Sequence, residues 1–201
     1  MLQVLKTNRL ILRPATMQDA QAFYEILSDP EVNRFLPMFP LESIEEAKTY
    51  LKQNYLDTYE IQNGYHYAIC LKEDDIPIGY IHVSGDDSHD FGYGLRKEYW
   101  HQGIVSEAGF AVIEMLKTTD IPYITATHDI HNPNSGAVMM KLGMKYQYTY
   151  EEHWMPKAIL VHFRMYQMNF HCEKDFVYKA YWDKYPHHEI EQFLHNSKSG
   201  H

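Results

Sequence analysis

The sequence predicts an α/β (α+β) fold in which a mixed, mostly antiparallel, seven-stranded central sheet is flanked by helices. Short segments rich in β-branched and aromatic residues alternate along the chain with longer segments whose apolar residues recur every three or four positions. Several predicted strands also follow one another with only a short turn between them, which indicates antiparallel pairing instead of a doubly wound parallel sheet.

The N-terminal elements are one strand, one helix and a loop. Residues 9–13 predict the strand. Thr16 and Asp19 resemble a capping box, and apolar residues on one face continue the following helix to Leu27. The three prolines within residues 29–41 then predict a loop or a broken helix.

A long helix and a hairpin come next. Ser43 and Glu46 form a second capping box, and the helical periodicity continues from there to about residue 60. Residues 65–71 and 77–83 predict two strands joined by a short acidic turn, which is the pattern of a β-hairpin.

The middle of the chain predicts a strand, a polar loop and a helix in close succession. Residues 91–95 alternate like a strand, and residues 103–117 predict a helix that opens at Gly103. The first N–H groups of such a helix lack partners, and the helix dipole favours an anion beside them, most often a phosphate. A purely structural turn is the alternative interpretation for this segment taken alone.

The remaining predicted elements are a strand, a helix and a strand pair. Residues 122–127 predict the strand. Asn132 suits the N-cap of a helix, which is expected to stop at Gly143. Residues 147–151 and 160–168 are predicted to close the sheet as an antiparallel pair.

Composition and charge exclude some classes of function. The net charge of −9, from 18 Lys+Arg against 27 Asp+Glu, argues against a protein that binds the phosphate backbone of nucleic acids. An acidic protein instead favours cationic ligands through electrostatic steering. No apolar run reaches transmembrane length and the N-terminus lacks a signal-peptide pattern, so we expect no membrane association and a cytoplasmic location. Cys70 and Cys172 lie far apart in the sequence, which suits a reduced compartment.

Several motifs, in order along residues 7–168, resemble the GNAT superfamily of N-acetyltransferases, and most of all its ribosomal-protein N-terminal acetyltransferase branch. The motifs that carry the resemblance are Thr7–Pro14, Leu27–Val32, Leu95–Ala108, Asn132–Ser135 and Lys141–Met144. The resemblance assigns residues 1–168 to a GNAT acetyltransferase domain and leaves residues 169–201 as a C-terminal helical extension, which is expected to pack on the domain or to contribute to a homodimer.

The resemblance implies an acetyl-CoA-dependent N-acyltransferase that moves an acetyl group directly to a primary amine, either a peptide N-terminus or a small amine. Acetyl-CoA would be a co-substrate. The residues that would bind it are Tyr93, Gly94 and Leu95 along the pantetheine arm, His101, Gln102, Gly103, Ile104, Val105 and Ser106 at the pyrophosphate, and Asn132 beside the arm.

The reaction needs a base for the amine, which arrives as an ammonium ion. Asp90 is the first candidate because it enters the strand that splays from its neighbour in this family, and Glu151 is the second. Other candidates are His82, His128, His153 and a chain of water molecules. Many family members carry a tyrosine acid at the position of Met139, so here the acid is expected elsewhere, at Ser135 or in water.

Departures from the family pattern keep other functions open. Trp100 and His101 stand where the loop usually has Arg or Gln and then Gly, and Val105 replaces a small residue, so its side chain could crowd the cofactor. A catalytically inactive acyl-CoA-binding or regulatory module is the main alternative, and a structural partner protein without a ligand is the third. The His-rich segments do not repeat as a paired ligand set, so no metal site is predicted.

Overall fold

The computed structural model describes residues 2–192, and these form two antiparallel sheets that meet along one seam. The strands of the first sheet, in spatial as in chain order, are β1 (Leu5–Lys6), β2 (Leu10–Arg13), β3 (Tyr65–Leu71), β4 (Pro77–Val83) and β5 (Phe91–Leu95). The strands of the second are β6 (Tyr123–Asp129), β7 (Lys145–Trp154), β8 (Ile159–Asn169) and β9 (His188–Glu189), in the spatial order β6-β8-β7-β9.

The predicted α+β class with mostly antiparallel strands is confirmed, and the predicted seven-stranded central sheet is divided between two sheets that meet at a seam. All seven predicted strands are present, and β1 and β9 add short edge strands to them. A single parallel bridge, between Asp90 and Thr125, joins the sheets, so β5 and β6 separate beyond it. The divergence leaves one edge of β5 without a neighbouring strand.

The helices are α1 (Ala20–Leu27), α2 (Pro30–Asn33), α3 (Ile44–Leu51), α4 (Asp57–Glu60), α5 (Ile104–Leu116), α6 (Pro133–Lys141) and α7 (Ala180–Lys184). The predicted capping box at Thr16 is confirmed, since the backbone N–H of Thr16 donates to Asp19 at 2.7 Å. At Ser43 the N-cap half of the predicted box forms, with Glu46 N donating to the Ser43 hydroxyl at 3.2 Å, but the Glu46 carboxylate accepts from Glu42 N and not from Ser43 N. The second helix is less regular than predicted: a π-helical segment, Lys52–Leu56, lies between α3 and α4.

Each face of the first sheet has its own core. Ile81, Val83 and Phe91 point toward α5, which covers one face together with α6. Tyr80 and the alternate residues of β3 point the other way, where α1 and α3 cover them. The site described below lies at the seam between the sheets, with one core on each side.

The C-terminal segment packs on the second sheet. Within the predicted C-terminal extension, α7 is a short helix, and β9 pairs with β7 at the sheet edge. Residues 193–201 of the predicted extension lie outside the described residues. Within residues 2–192, no helix has the length and apolar character needed to cross a membrane.

Candidate active site

The free edge of β5 presents backbone groups to the gap between the sheets. Ser84 N donates to Asp90 O and Arg96 N donates to Ile78 O, both at 2.9 Å, so the even-numbered residues of β5 hydrogen-bond to β4. Antiparallel alternation therefore turns the backbone of Tyr93 toward the gap.

This alternation divides the three residues predicted to bind pantetheine. The backbone of Gly94 pairs with Tyr80 of β4 and does not face the gap. Leu95 faces the gap, but its carbonyl accepts a 2.8 Å hydrogen bond from the indole N–H of Trp100. Tyr93 is thus the residue whose N–H and C=O are both turned toward the gap and without a β4 partner.

The N-terminus of α5 lies just beyond the end of β5. Gly103 has φ +73°, a left-handed conformation that glycine adopts without steric cost, and the first helical hydrogen bond runs from Glu107 N to Gly103 O at 3.0 Å. The N–H groups of Ile104, Val105 and Ser106 precede that bond and have no acceptor within the helix. The arrangement suits an anion held by the helix N-terminus.

Arg9 is a residue at this position that the sequence did not indicate. Its Nη2 lies 3.8 Å from the place that a Cβ on Gly103 would occupy. The Glu107 carboxylate holds it there, accepting from Arg9 Nε at 2.7 Å, from Arg9 N at 2.9 Å and from the Thr7 hydroxyl at 2.6 Å. The guanidinium adds a positive charge beside the free N–H groups of α5.

The unusual loop residues are accommodated in different ways. His101 is exposed with φ +60°, which explains why glycine suits this position better. The Gln102 amide donates to Glu98 O at 2.8 Å. Val105 is partly buried and packs against the core beneath the helix.

Asp90 lies at the seam, where its backbone bridges the two sheets. Its N–H is shared between the hydroxyls of Ser84 at 2.8 Å and Ser88 at 3.2 Å. Burial, together with the nearby charge of Asp86, raises the pKa of its carboxyl group from 3.8 to about 7. A carboxyl group with this pKa can take up and release a proton at neutral pH.

Aromatic rings extend from Asp90 across the first sheet. His82 Nε2 lies 3.9 Å from an Asp90 oxygen, and the His82 ring stacks between those of His66 at 5.6 Å and Tyr80 at 6.4 Å. Burial, with a contribution from His66, lowers the pKa of His82 to about 4, so His82 is neutral at neutral pH. Asp90 therefore has no cationic partner on this side.

Tyr93 and Ser135 meet on the opposite face of β5. The Tyr93 hydroxyl lies 2.9 Å from Ser135 O and 3.0 Å from the Ser135 hydroxyl. Asn132 caps α6 as predicted, its side chain accepting from Ser135 N at 3.4 Å. Met139 is 2% exposed and belongs to the core, so this position does not supply a side chain to the gap.

The other predicted bases lie away from Asp90. Glu151 is 3.6 Å from His162, and both line a separate cavity of about 280 Å³ at the β9 edge. His128 packs over Gly136 of α6, and His153 is exposed near the tip of the β7–β8 hairpin. Within residues 2–192, no three His, Cys, Asp or Glu side chains are grouped so that they could hold a metal ion.

Known proteins share this sequence pattern and this architecture. The family model described as an acetyltransferase (GNAT) domain matches residues 9–145. The N-acetyltransferase YnaD of Bacillus subtilis, itself uncharacterized, is 30% identical over 145 residues, which cover 70% of this chain and 82% of YnaD.

Solved structures share the fold at lower identity. A GNAT-family acetyltransferase from Bacillus anthracis is 22% identical with a TM-score of 0.72, covering 83% of this chain and 98% of that one. RimL, a ribosomal L7/L12 α-N-protein acetyltransferase solved with coenzyme A, is 16% identical with a TM-score of 0.73, covering 85% and 100%. With the family model spanning more than half of its residues, this chain belongs to the GNAT acetyltransferase family and has the GNAT fold.

Proposed function

We propose that this protein transfers an acetyl group from acetyl-CoA directly to a primary amine. The observation that carries the proposal is the free N-terminus of α5 at one end of the unpaired edge of β5, with Asp90 at the other end. From Leu95 to Asp90 the strand spans roughly 17 Å at about 3.3 Å per residue, a length that suits an extended pantetheine arm.

The coenzyme would bind along this edge. The N–H groups of Ile104, Val105 and Ser106 would hold the pyrophosphate, with Arg9 supplying a positive charge. The N–H and C=O of Tyr93 would pair with pantetheine amides across the gap. The solved complex of RimL with coenzyme A supports this use of the fold.

Asp90 would act as the general base. Its raised pKa places about half of the carboxyl groups in the basic form at pH 7, which is the range in which a base works best. The ammonium group would lose one proton to Asp90, and the neutral amine would then attack the thioester carbon. The tetrahedral intermediate would lose its second N–H proton to water as it expels the CoA thiolate, and Asp90 would return its proton to solvent. Holding the two reactants together supplies much of the rate enhancement, and no acyl-enzyme is needed.

The Tyr93–Ser135 pair would protonate the departing thiolate. Burial raises the pKa of Tyr93, so its hydroxyl keeps its proton at neutral pH. The Ser135 hydroxyl, 3.0 Å away, would pass a proton to the thiolate and recover one from Tyr93, which would regain its proton from solvent water. This pair would take the place of the tyrosine that is absent at Met139.

A contact between two distant segments would narrow the entrance for the acceptor amine. Lys157, in the β7–β8 hairpin, donates to the backbone oxygen of Asn33 at 2.8 Å and to its side-chain oxygen at 2.9 Å. The contact joins the hairpin to the end of α2, on the side of the sheet that carries Asp90. A small amine or an extended peptide N-terminus fits this restricted opening better than a side chain on a folded surface does.

Turnover tests the proposal. We expect release of the CoA thiol from acetyl-CoA when primary amines are supplied, and expect acetyl-CoA to raise the melting temperature while adenosine does not. Binding without turnover for any amine would favour the inactive acyl-CoA-binding module, a reading to which Met139 and His101 lend support. No binding at millimolar acetyl-CoA would exclude both the acetyltransferase and the acyl-CoA-binding module.

A further inference from the structure

The rings of His66, His82 and Tyr80 form a stack on the face of the first sheet that α1 and α3 cover. The His82 ring centroid lies 5.6 Å from that of His66 and 6.4 Å from that of Tyr80, with ring planes 10° and 16° from parallel. His66 is anchored in turn, because its Nε2 lies 3.2 Å from Asn63 O and its ring makes a T-shaped contact with buried Tyr55 at 5.7 Å. Both faces of the His82 ring are therefore covered, and its edge is left to meet other groups.

Gly92 gives this edge of the His82 ring its place. His82 on β4 pairs directly with Gly92 on β5. A Cβ on Gly92 would lie 2.3 Å from His82 Cε1 and 2.6 Å from His82 Nε2, so any side chain at this position would displace the ring. The ring therefore leans from β4 across β5 and lies directly over the Gly92 backbone.

Asp90, which directly precedes β5, lies beside the same edge of the ring. Phe91 faces α5, so the Asp90 side chain is on the opposite face, where the His82 ring lies. The Nε2 atom that lies over Gly92 is also 3.9 Å from Asp90 Oδ2. This separation is too long for a hydrogen bond, so the ring edge occupies space beside the carboxyl group without supplying a donor to it.

Hydrogen bonds to Ser84 hold Asp90 at this position. Ser84 N donates to Asp90 O at 2.9 Å, and Asp90 N donates to the Ser84 hydroxyl at 2.8 Å. Ser84 follows His82 by two residues at the end of β4. The same pair of strands therefore fixes both the carboxyl group and the ring.

The other titratable groups around Asp90 do not favour its ionised form. After burial, the like charge of Asp86 is the second cause that raises the pKa of Asp90. The tyrosines whose pKa the Asp90 charge influences are buried, which raises their pKa further and keeps them neutral at pH 7; they are Tyr93 on β5, Tyr150 on β7, and Tyr178 and Tyr181 in the C-terminal segment. Ionisation of Asp90 therefore depends on how much water reaches a side chain that is 33% exposed.

We propose that His82 is a positioning residue for Asp90: its ring, seated on Gly92, shields the carboxyl group from water and thereby sets the pH range over which the proposed base acts. This inference rests on the proposed acetyl transfer. A neutral ring that is stacked on both faces and seated on a glycine is held firmly, so it keeps water from one side of the carboxyl group and disfavours the carboxylate. Gly92 belongs to the same arrangement, since a larger residue there would lift the ring away.

Carbon-13 NMR of the aspartate carboxyl groups titrates Asp90 directly, its signal being the one that Asp90→Asn removes. In His82→Ala we expect the pKa of Asp90 to fall from about 7 to about 6, because water enters the space that the ring leaves. His82→Phe should keep the wild-type value because it keeps the ring while removing both nitrogen atoms. His66→Phe is the matched control, which makes the same substitution one ring farther from Asp90 and should also leave the value unchanged.

The pH profile of acetyl transfer to trialanine and to ethylamine provides a second readout. The acidic limb of kcat/KM should move to lower pH in His82→Ala and should stay in place in His82→Phe. The ionisation of each amine is the same for every variant, so a difference between profiles reports the enzyme. Gly92→Ala should shift both readouts as His82→Ala does, because its Cβ displaces the ring while the imidazole remains in the chain.

Two results would overturn the role of His82. One is a pKa of Asp90 that does not change in His82→Ala, and the other is a change in His82→Phe or His66→Phe as large as that in His82→Ala. If Gly92→Ala does not fold, the His82 variants decide the question alone. Absence of turnover with every amine would instead refute the proposed acetyl transfer, and the NMR titration distinguishes that failure from a failure of this inference.

Discussion

Replacing Asp90 with Asn should stabilise the protein at neutral pH although it removes the proposed catalytic base. Asp90 has a pKa raised from 3.8 to about 7, so the folded state resists its ionisation while the unfolded chain ionises freely. Because the pKa is raised in the folded state, the protonated Asp90 carboxyl makes its full contribution to the free energy of unfolding below about pH 4. This contribution is lost as the pH rises toward 7. Asn stays neutral and avoids that loss.

The structure sets the size of the effect. A shift of about three pKa units corresponds to roughly 4 kcal/mol, at about 1.4 kcal/mol per unit. The Asp90 side chain is 33% exposed, and solvent screening reduces the figure. We therefore expect the free energy of unfolding of Asp90→Asn to exceed that of the wild type by about 2 kcal/mol above pH 7. For a chain of this length, this difference corresponds to roughly 4–8 °C in melting temperature.

Thermal unfolding at several pH values measures this difference. The melting temperature of Asp90→Asn should exceed that of the wild type most at pH 8 and should converge with it toward pH 4. Asp87, exposed on the same loop, provides the matched control Asp87→Asn, which removes one carboxylate from the loop without altering Asp90. A difference that is constant with pH, or a variant less stable at pH 8, would refute the placement of Asp90 in a desolvated site.

Four further predictions concern the same site and its supports. Asp90→Asn should lower kcat by about 10²- to 10⁴-fold without changing the acetyl-CoA Kd; a comparable loss of cofactor affinity would contradict the role of base. Gly103→Glu should abolish acetyl-CoA binding by calorimetry, whereas Gly103→Ala, whose Cβ would have only Arg9 Nη2 nearby at 3.8 Å, should bind at a cost in stability of about 1 kcal/mol. His101→Gly should raise the free energy of unfolding by about 1 kcal/mol because it relieves φ +60°, and an unchanged urea midpoint would show that the loop is not strained. Glu107→Gln should lower the free energy of unfolding by about 1–3 kcal/mol at pH 7. Partial burial acts to raise the pKa of Glu107, but hydrogen bonds from Thr7 and Arg9 outweigh it and lower that pKa, so the difference from the wild type should shrink as the pH falls below 4.5. Urea titrations at pH 7 and at a pH below 4.5 measure this difference.

The predicted elements and the family could be taken from the sequence because their signals are local. The capping box at Thr16 and the N-caps Ser43 and Asn132 each depend on residues no more than three positions apart. The turn at Gly103 is equally local, since one left-handed residue starts α5. Such patterns need no knowledge of the rest of the chain.

Parts of the site could not be predicted because they depend on strand register. Whether the backbone of Tyr93 or of Gly94 faces the gap is decided by pairing with β4, and shifting that pairing by one residue would exchange them. The break in the predicted sheet at Asp90 likewise follows from how β5 and β6 diverge, which no local pattern records.

The sequence by itself determined the order of strands and helices, several of their caps and the turn at Gly103 that opens α5, since each follows from neighbouring residues. Only the tertiary structure brought Arg9 to Glu107, 98 positions away, joined Lys157 to Asn33, and packed Phe176 against Tyr123, whose hydroxyl donates to Asp87 O. The reason is physical: hydrogen bonds within a turn form wherever the right residues are adjacent, whereas contacts between distant residues exist only after the cores have packed and fixed the path of the chain.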